Sequence, residues 1–171
     1  MEIEVKYRCR SFEKIVLMIR TMGFKLVKEK HQIDSYFFAS KKSKEGTWDY
    51  LRIREENKKY SLGHYRVLND METEEREIKI EDKDKLIEIM MFLGHKIICV
   101  VDKKRKEYNK NNITIVFDKI KNLGNFVEVE LIGESNNKNR EIVLELAKKL
   151  GLDNKDRIEG EGYPDLMLRN N

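Results

Sequence analysis

The chain contains little cysteine and little proline, since its 171 residues include two cysteines and one proline. Cys9 and Cys99 are too few for a framework of disulfide bonds, and their spacing matches no cysteine-based metal site. Tracts rich in glycine, serine or proline, which would act as linkers, are absent as well. We therefore expect one domain over residues 1–171, with its thiols kept reduced.

Long apolar runs are also missing. The longest runs are about five residues, far below the ~20 residues that a helix needs to span a bilayer. The first residues alternate between apolar side chains and the carboxylates Glu2 and Glu4, which is unlike a signal peptide. These observations predict a cytoplasmic protein that does not bind membranes.

Charged residues are plentiful and nearly balanced in sign. They make up 39% of the chain, beside 40% hydrophobic residues, and the net charge is +4. In several segments they alternate with apolar residues, which predicts strands with one charged face and one apolar face. The clearest of these segments are Glu2 to Arg8, Tyr50 to Arg54, Glu75 to Glu81 and Phe126 to Leu131.

The complete pattern predicts about eight strands and three helices. We expect the helices after Ser11, after Asp82 or Asp84, and from Asn139 to Leu150, with a glycine just beyond each end. A polar loop is expected from Lys41 to Gly46. Because strands and helices do not alternate strictly, the fold class is α+β with a mostly antiparallel sheet.

The charged faces of the strands allow two interpretations. They could face water and form ion pairs between neighbouring strands. Alternatively, they could line the inside of a barrel whose apolar outer face is covered by helices. Buried charges need partners, and a polyanion with divalent metal ions would supply them. Carboxylates are hard oxygen ligands for Mg²⁺ or Mn²⁺, and Arg and Lys bind phosphate oxygens.

An ordered series of short motifs decides between these interpretations. Glu2-x-Glu4-x-Lys6 resembles the ExExK signature of the CYTH family, which includes class IV adenylyl cyclases and thiamine-triphosphatase-like enzymes. Further segments resemble family motifs in the same order: Asp34-x-Tyr36, Leu51-Arg52-Ile53-Arg54, the pair Glu75 and Glu77, Lys103-Lys104-Arg105, Asp118 followed by Leu123 to Glu130, and Tyr163-Pro164-Asp165-Leu166. The series covers almost the whole chain.

The resemblance implies a closed eight-stranded, mostly antiparallel β-barrel, or tunnel, with helices packed outside. It also implies a metal-dependent enzyme of the triphosphate tunnel type, with Mg²⁺ or Mn²⁺ as cofactor. Carried over by position, the metal ligands would be Glu2, Glu4 and Glu128, supported by Glu130 and Asp118. The residues expected to hold the triphosphate are Lys6, Arg54, Lys103 and Arg105, with Arg8, Arg52 and Lys79 as further candidates. The resemblance identifies no catalytic base.

One position departs from the family pattern. The strand after the LRxR motif usually carries a lysine, and this chain has His64 there, with Arg66 expected on the same face. Either side chain could bind phosphate in place of the lysine, His64 only when it is protonated. A smaller departure is Gly162, which stands where the family has serine.

Two reactions fit such a site. Attack by water on the terminal phosphorus would make the protein a triphosphatase for a nucleotide, thiamine triphosphate or tripolyphosphate. Attack by the ribose hydroxyl of ATP would release pyrophosphate and form cyclic AMP, and the motif order most resembles that class IV cyclase branch. The alternative is a non-catalytic module that binds phosphate or polyphosphate. Nucleic-acid binding is disfavoured because acids are interleaved with the basic residues. We also consider a homodimer.

Overall fold

The computed structural model describes residues 2–42 and 48–169. Within these ranges the chain forms nine strands and four helices: β1 (Glu2–Cys9), α1 (Glu13–Thr21), β2 (Lys25–Lys42), β3 (Trp48–Glu56), β4 (Lys59–Val67), β5 (Thr73–Ile80), α2 (Lys83–Phe92), β6 (Ile97–Lys110), β7 (Ile113–Ile120), β8 (Gly124–Ile132), α3 (Asn137–Lys149), β9 (Arg157–Ile158) and α4 (Tyr163–Arg169). In this described part no helix is long and apolar enough to cross a membrane. Most of the loop predicted from Lys41 to Gly46 lies outside the described residues.

The strands follow the order β5-β4-β3-β2-β6-β7-β8-β1-β9 in one sheet. The pairs β3–β4, β4–β5, β7–β8 and β1–β8 are antiparallel, so the predicted α+β class with a mostly antiparallel sheet is confirmed. The ninth strand, β9, is only two residues long and was not predicted. Among the described residues the ladder has two ends, β5 and β9. An isolated antiparallel bridge between Ile3 and Glu72 joins β1 to the residues just before β5.

The chain divides into two compact units. The first unit comprises residues 1–30, 69–72 and 104–160, and the second comprises residues 31–68, 73–103 and 161–171. Strands β2 and β6 contribute residues to both units. That the chain acts as one domain remains a prediction.

The core of the first unit lies between the apolar faces of its strands and two helices. Alternation along β1 buries Ile3, Val5 and Tyr7 on one face, because successive side chains of a strand point to opposite sides. These residues pack with Ile19 of α1 and Val143 of α3. The even-numbered residues of β1 therefore lie on the face away from the core.

The core of the second unit is smaller. Phe37 of β2 and Ile53 of β3 are fully buried and cluster with Met90 of α2. Asp82 caps α2 by accepting a hydrogen bond from the backbone N–H of Lys85, as predicted. The apolar side of α2 thus covers the face of β2 and β3 that carries their odd-numbered residues.

The helix predictions need two corrections. Ser11 was expected to cap α1, but the N-cap is Phe12 and no side chain makes a capping bond there. The C-terminal segment Tyr163–Arg169 forms α4, which the sequence did not predict. Its first turn is stabilised by Asp165, whose carboxylate accepts a hydrogen bond from the N–H of Gly162. The other carboxylate oxygen of Asp165 accepts one from the hydroxyl of Tyr50.

Candidate functional site

The charged face of the first unit is built by β1 and β8. Their antiparallel register places Glu4 opposite Glu130 and Lys6 opposite Glu128. These four side chains lie on one face because residues directly opposite each other share a side of the sheet. The apolar core occupies the other face, so the alternation of the sequence sorts the charges onto this side.

Three carboxylates gather on this face and form what we call the carboxylate cluster: Glu2, Glu4 and Glu130. Each can offer an oxygen within 4.8 Å of the oxygens of the other two. Burial raises the pKa of Glu4, although Lys6 acts against this effect. Burial and the negative charge of Glu128 raise the pKa of Glu130 well above its usual value. Three hard oxygen donors that repel one another suit a divalent cation, so the residues present fit Mg²⁺ or Mn²⁺.

Arg105 holds two further acids near this cluster, Asp118 and Glu128. Its Nε and Nη2 donate to the two carboxylate oxygens of Asp118 at 2.8 and 2.5 Å. The same Nη2 donates to Glu128 at 2.7 Å, and the Lys6 Nζ lies 3.1 Å from the other oxygen of Glu128. Burial acts to lower the pKa of Arg105, but Asp118 and Glu128 raise it well above its usual value. Arg105 therefore remains charged.

Which of the carboxylates named from the sequence bind a metal ion stays a prediction, but the structure separates them into two groups. Glu128 was named with Glu2 and Glu4, but its oxygens are engaged by Lys6 and Arg105. Glu130 takes its place in the carboxylate cluster. Asp118 is fully buried and paired with Arg105, so it is not part of the cluster.

Arg8 is separated from these groups by its position at the end of β1. Its side chain is exposed, its Nη1 donates to the backbone carbonyl of Leu123 at 2.7 Å, and its guanidinium lies 4.9 Å from the ring centre of Phe126. These contacts anchor the turn between β7 and β8. The structure does not bring Arg8 to the carboxylate cluster.

The second unit has its own charged face, and Asp34 is at its centre. The side chain of Asp34 is fully buried and accepts two hydrogen bonds of 2.7 Å from Nε and Nη2 of Arg54. The Lys103 Nζ lies 3.6 Å from the same carboxylate and 5.3 Å from the ring centre of Tyr163. Burial acts to raise the pKa of Asp34, but Arg54 and Lys103 lower it to about 2. From the sequence, Asp34 was recognised only as part of the Asp34-x-Tyr36 motif.

Arg52 lies on the same face as Arg54, two residues away along β3. Its guanidinium is buried and lies 2.9 Å from the carboxylate of Glu75 and 3.2 Å from that of Glu77. Lys79 follows on this face of β5 and is exposed. Arg52, Arg54 and Lys79 thus share one face of β3 to β5, and Lys103 reaches Asp34, the partner of Arg54. That they hold a phosphate group, as the family resemblance implies, stays a prediction.

His64 and Arg66 lie on the opposite face of the sheet from Arg52 and Arg54. The register of β3 and β4 places Gly63 opposite Arg52 and Ser61 opposite Arg54, so the even-numbered residues of β4 point the other way. There Arg66 donates two hydrogen bonds to Asp49, at 2.9 and 2.6 Å. The Nε2 of His64 lies 3.5 Å from the same carboxylate. The expectation that His64 or Arg66 replaces the family lysine is therefore corrected.

The sequence and the fold of this chain are similar to those of known proteins. A sequence model for the CYTH domain matches residues 1–160. A protein of Methanocaldococcus jannaschii that bears the name "putative adenylate cyclase" is 33% identical over 97% of this chain and 98% of its own length. The PH1012 protein from Pyrococcus horikoshii OT3 superposes with a TM-score of 0.85 at 30% identity, covering 97% of this chain and 99% of that chain.

The fold also recurs at lower identity. HpAC1 from Hippeastrum is described as an adenylyl cyclase candidate with a dominant triphosphatase activity, and it is 20% identical with a TM-score of 0.61. The match covers 95% of this chain and 91% of that chain. At this level of identity the similarity concerns the fold alone.

Proposed function

Because the chain belongs to the CYTH domain family, we propose that it is a metal-dependent enzyme that acts on a triphosphate. The observation that carries this proposal is the carboxylate cluster of Glu2, Glu4 and Glu130 on one face of β1 and β8. The Lys6 side chain is 3.3 Å from Glu4 and that of Arg105 is 4.0 Å from Glu130. Carboxylates alone would suit many cations. Carboxylates beside fixed Arg and Lys side chains suit a metal ion that is itself bound to phosphate oxygens.

The residues of the first unit have distinct roles in this proposal. The carboxylate cluster would hold a Mg²⁺ or Mn²⁺ ion, which would supply positive charge to neutralise phosphate oxygens. Arg105 holds Asp118 and Glu128 in fixed positions, and Lys6 is 3.3 Å from Glu4 and 3.1 Å from Glu128. Lys6 can therefore donate to a phosphate oxygen while it remains close to the acids that orient it.

The cations of the second unit are proposed as phosphate ligands in their own right. Arg52 and Arg54 present planar guanidinium groups that can donate two hydrogen bonds to one phosphate group. Lys103 adds a third positive charge, and its position is set by Asp34 and Tyr163. Lys79 remains a candidate because it is exposed on the same face.

Two reactions remain proposed. The name of the M. jannaschii relative supports conversion of ATP to cyclic AMP and pyrophosphate. Hydrolysis of a nucleotide, thiamine triphosphate or tripolyphosphate uses the same charges, since the protein's work in phosphoryl transfer is mainly positioning and charge neutralisation. We also propose that the protein works in the cytoplasm, which agrees with the free thiols of Cys9 and Cys99.

Product analysis tests the proposed function and separates the two reactions. The purified protein, without a tag next to Glu2, is incubated with ATP, thiamine triphosphate or tripolyphosphate in Mg²⁺ and then in Mn²⁺. Cyclic AMP with pyrophosphate identifies a cyclase, and orthophosphate alone identifies a triphosphatase. If no product forms while tripolyphosphate still raises the melting temperature, the proposal of an enzyme is wrong and the protein is a phosphate-binding module.

Arg52 and His64 lie on opposite faces of the sheet, so replacing each of them should affect phosphate binding very differently. Arg52→Ala should weaken binding of tripolyphosphate by about tenfold to a hundredfold, the range expected for a lost charge-assisted hydrogen bond. His64→Ala should leave this affinity unchanged, because its side chain lies on the other face beside Asp49. Isothermal titration with tripolyphosphate measures both affinities. A loss of affinity in His64→Ala equal to that in Arg52→Ala would contradict the face assignment.

A further inference from the structure

The edge of β1 opposite β8 is held by two short segments of the chain. Strand β9 pairs with the middle of β1. Nearer the start of β1, an isolated antiparallel bridge joins Ile3 to Glu72, and the N–H of Glu4 donates to the carbonyl of Met71 at 2.9 Å. Both contacts come from residues 69–72, which we call the 69–72 segment. The segment therefore contacts the part of β1 that carries two of the three residues of the carboxylate cluster.

Glu72 anchors the 69–72 segment to the rest of the first unit. Its side chain is only 9% exposed, and its carboxylate accepts hydrogen bonds from three donors. Nη2 of Arg140 on α3 donates to Oε1 at 2.6 Å, and the hydroxyl of Ser135 donates to the same oxygen. Nδ2 of Asn69 donates to Oε2 at 3.1 Å. This carboxylate is held in one position, because moving it would leave a buried charge without its partners.

Further bonds fix the other residues of the 69–72 segment. Asp70 accepts a hydrogen bond of 2.8 Å from Nη2 of Arg157, which belongs to β9 and is therefore tied to β1 as well. The side-chain oxygen of Asn69 accepts one of 3.0 Å from the N–H of Met71, a local bond that is typical of a tight turn. Met71 is buried in the same core cluster as Ile3. The segment is thus an ordered turn that packs against β1.

The influence of Glu72 on the carboxylate cluster has to pass through the backbone of β1. Both of its carboxylate oxygens are engaged by other side chains. Its bridge partner Ile3 is buried in the core, whereas Glu2 and Glu4 lie on the opposite face of the strand. The start of a strand separates from its neighbours more easily than the middle. Contacts on this second edge therefore matter most for Glu2 and Glu4.

We propose that Glu72 is a positioning residue for the metal site: by holding the 69–72 segment against β1, it keeps the carboxylates of Glu2 and Glu4 at the spacing that one cation requires. This inference rests on the proposed function, since it concerns the same site. Loss of a residue that orients metal ligands typically lowers metal affinity about 10–100-fold. Glu72→Gln keeps the size of the side chain but removes the charge that holds Arg140. It should bind Mn²⁺ more weakly than the wild type by a factor in this range.

Titration with Mn²⁺ alone tests this role without any substrate. The electron paramagnetic resonance signal of the free ion gives the affinity, at a temperature where circular dichroism shows every variant to be folded. The matched control is Ala147→Gly, which weakens α3 at a fully buried position without changing a charge. It should bind Mn²⁺ as the wild type does. Equal weakening in Ala147→Gly and Glu72→Gln would mean that Glu72 acts through stability alone, and would overturn the inference.

Glu130→Gln separates this inference from the proposed function, because it removes a member of the carboxylate cluster. If Glu130→Gln loses Mn²⁺ binding and Glu72→Gln keeps the wild-type affinity, the cluster stands and the role of Glu72 is wrong. If Glu130→Gln binds Mn²⁺ as the wild type does, the cluster is wrong, and the role of Glu72 is wrong with it.

Hydrogen exchange tests the link between Glu72 and β1 directly. The amide hydrogen of Glu4 bonds to Met71, so it should exchange about tenfold faster in Glu72→Gln than in the wild type if the segment opens more often. Exchange of this amide in Ala147→Gly should stay close to the wild-type rate. An unchanged rate in Glu72→Gln would contradict the positioning role.

Discussion

Replacing Glu130 with glutamine should lower the metal-dependent turnover by about 10²–10³-fold, as expected when one group that stabilises charge in a transition state is lost. Glutamine keeps the size of the side chain and removes the negative charge from the carboxylate cluster. The cation would then be held by Glu2 and Glu4 alone. Initial rates measured over a series of Mg²⁺ or Mn²⁺ concentrations show whether metal affinity, turnover or both have fallen.

The same substitution should have the opposite effect on stability without metal. Burial of Glu130 and the negative charges of Glu128, Glu2 and Glu4 nearby raise its pKa well above the usual value. This means that the ionised side chain is unfavourable in the fold. Glu130→Gln should therefore melt at a higher temperature than the wild type in EDTA, and it should gain less from added metal.

The matched control is Glu145→Gln, which removes an exposed carboxylate of α3 in the same unit. It should keep the wild-type turnover and the wild-type response to metal. Wild-type rates in Glu130→Gln would refute the assignment of the carboxylate cluster. A loss of rate accompanied by a loss of folded protein in both variants would also count against it.

Asp34→Asn should destabilise the protein by about 3–5 kcal/mol, the cost of removing one partner of a buried ion pair. The carboxylate is fully buried, and Arg54 and Lys103 would lose the negative charge that they share. Asparagine has nearly the same shape, so the loss comes from the uncompensated positive charges. Urea denaturation at neutral pH measures the difference in the free energy of unfolding.

The pH dependence of this difference has a definite sign. The pKa of Asp34 falls from an ordinary 3.8 to about 2 on folding, so its charge stabilises the fold above pH 3.8. This contribution is lost as the pH falls from 3.8 through about 2. The difference in the free energy of unfolding between wild type and Asp34→Asn should therefore become smaller over this pH range. The control is Asp102→Asn, whose carboxylate contacts His31 at 2.7 Å and is 36% exposed. Its effect at neutral pH should stay within about 1 kcal/mol. An equal loss in both variants would contradict the role of Asp34.

Sequence reasoning succeeded where the period of two along a strand decides the answer. Glu2, Glu4 and Lys6 were placed on the charged face of β1 because alternation leaves no other choice. The choice between Glu128 and Glu130 as a ligand could not be made in this way. Both lie on the same face of β8, and only the register with β1 and the position of Arg105 show that Glu128 is already engaged.

The error at His64 has a similar cause. The hairpin between β3 and β4 turns at Asn57 and Lys58, which have φ angles of 51° and 60°, as two-residue turns of this kind require. This turn places Glu56 opposite Lys59, and the rest of the register follows, with Gly63 opposite Arg52. Without this register, the family pattern could not show that His64 lies on the opposite face of the sheet from Arg52.

The ion pairs of Arg52 have a consequence for how quickly a ligand can bind and leave. Glu75 and Glu77 already neutralise this guanidinium, so a phosphate group must displace an anion that is tethered to the same protein. Because these glutamates are tethered, they compete with phosphate at a high effective concentration. The side chains of Glu75 and Glu77 are each 44% exposed, so they can move into water when phosphate displaces them. The measured affinity for a phosphate group is then the difference between how tightly Arg52 binds phosphate and how tightly it binds Glu75 and Glu77. A product that carries fewer negative charges than the substrate would bind Arg52 more weakly. Glu75 and Glu77 would then displace it, which would favour rapid release of the product.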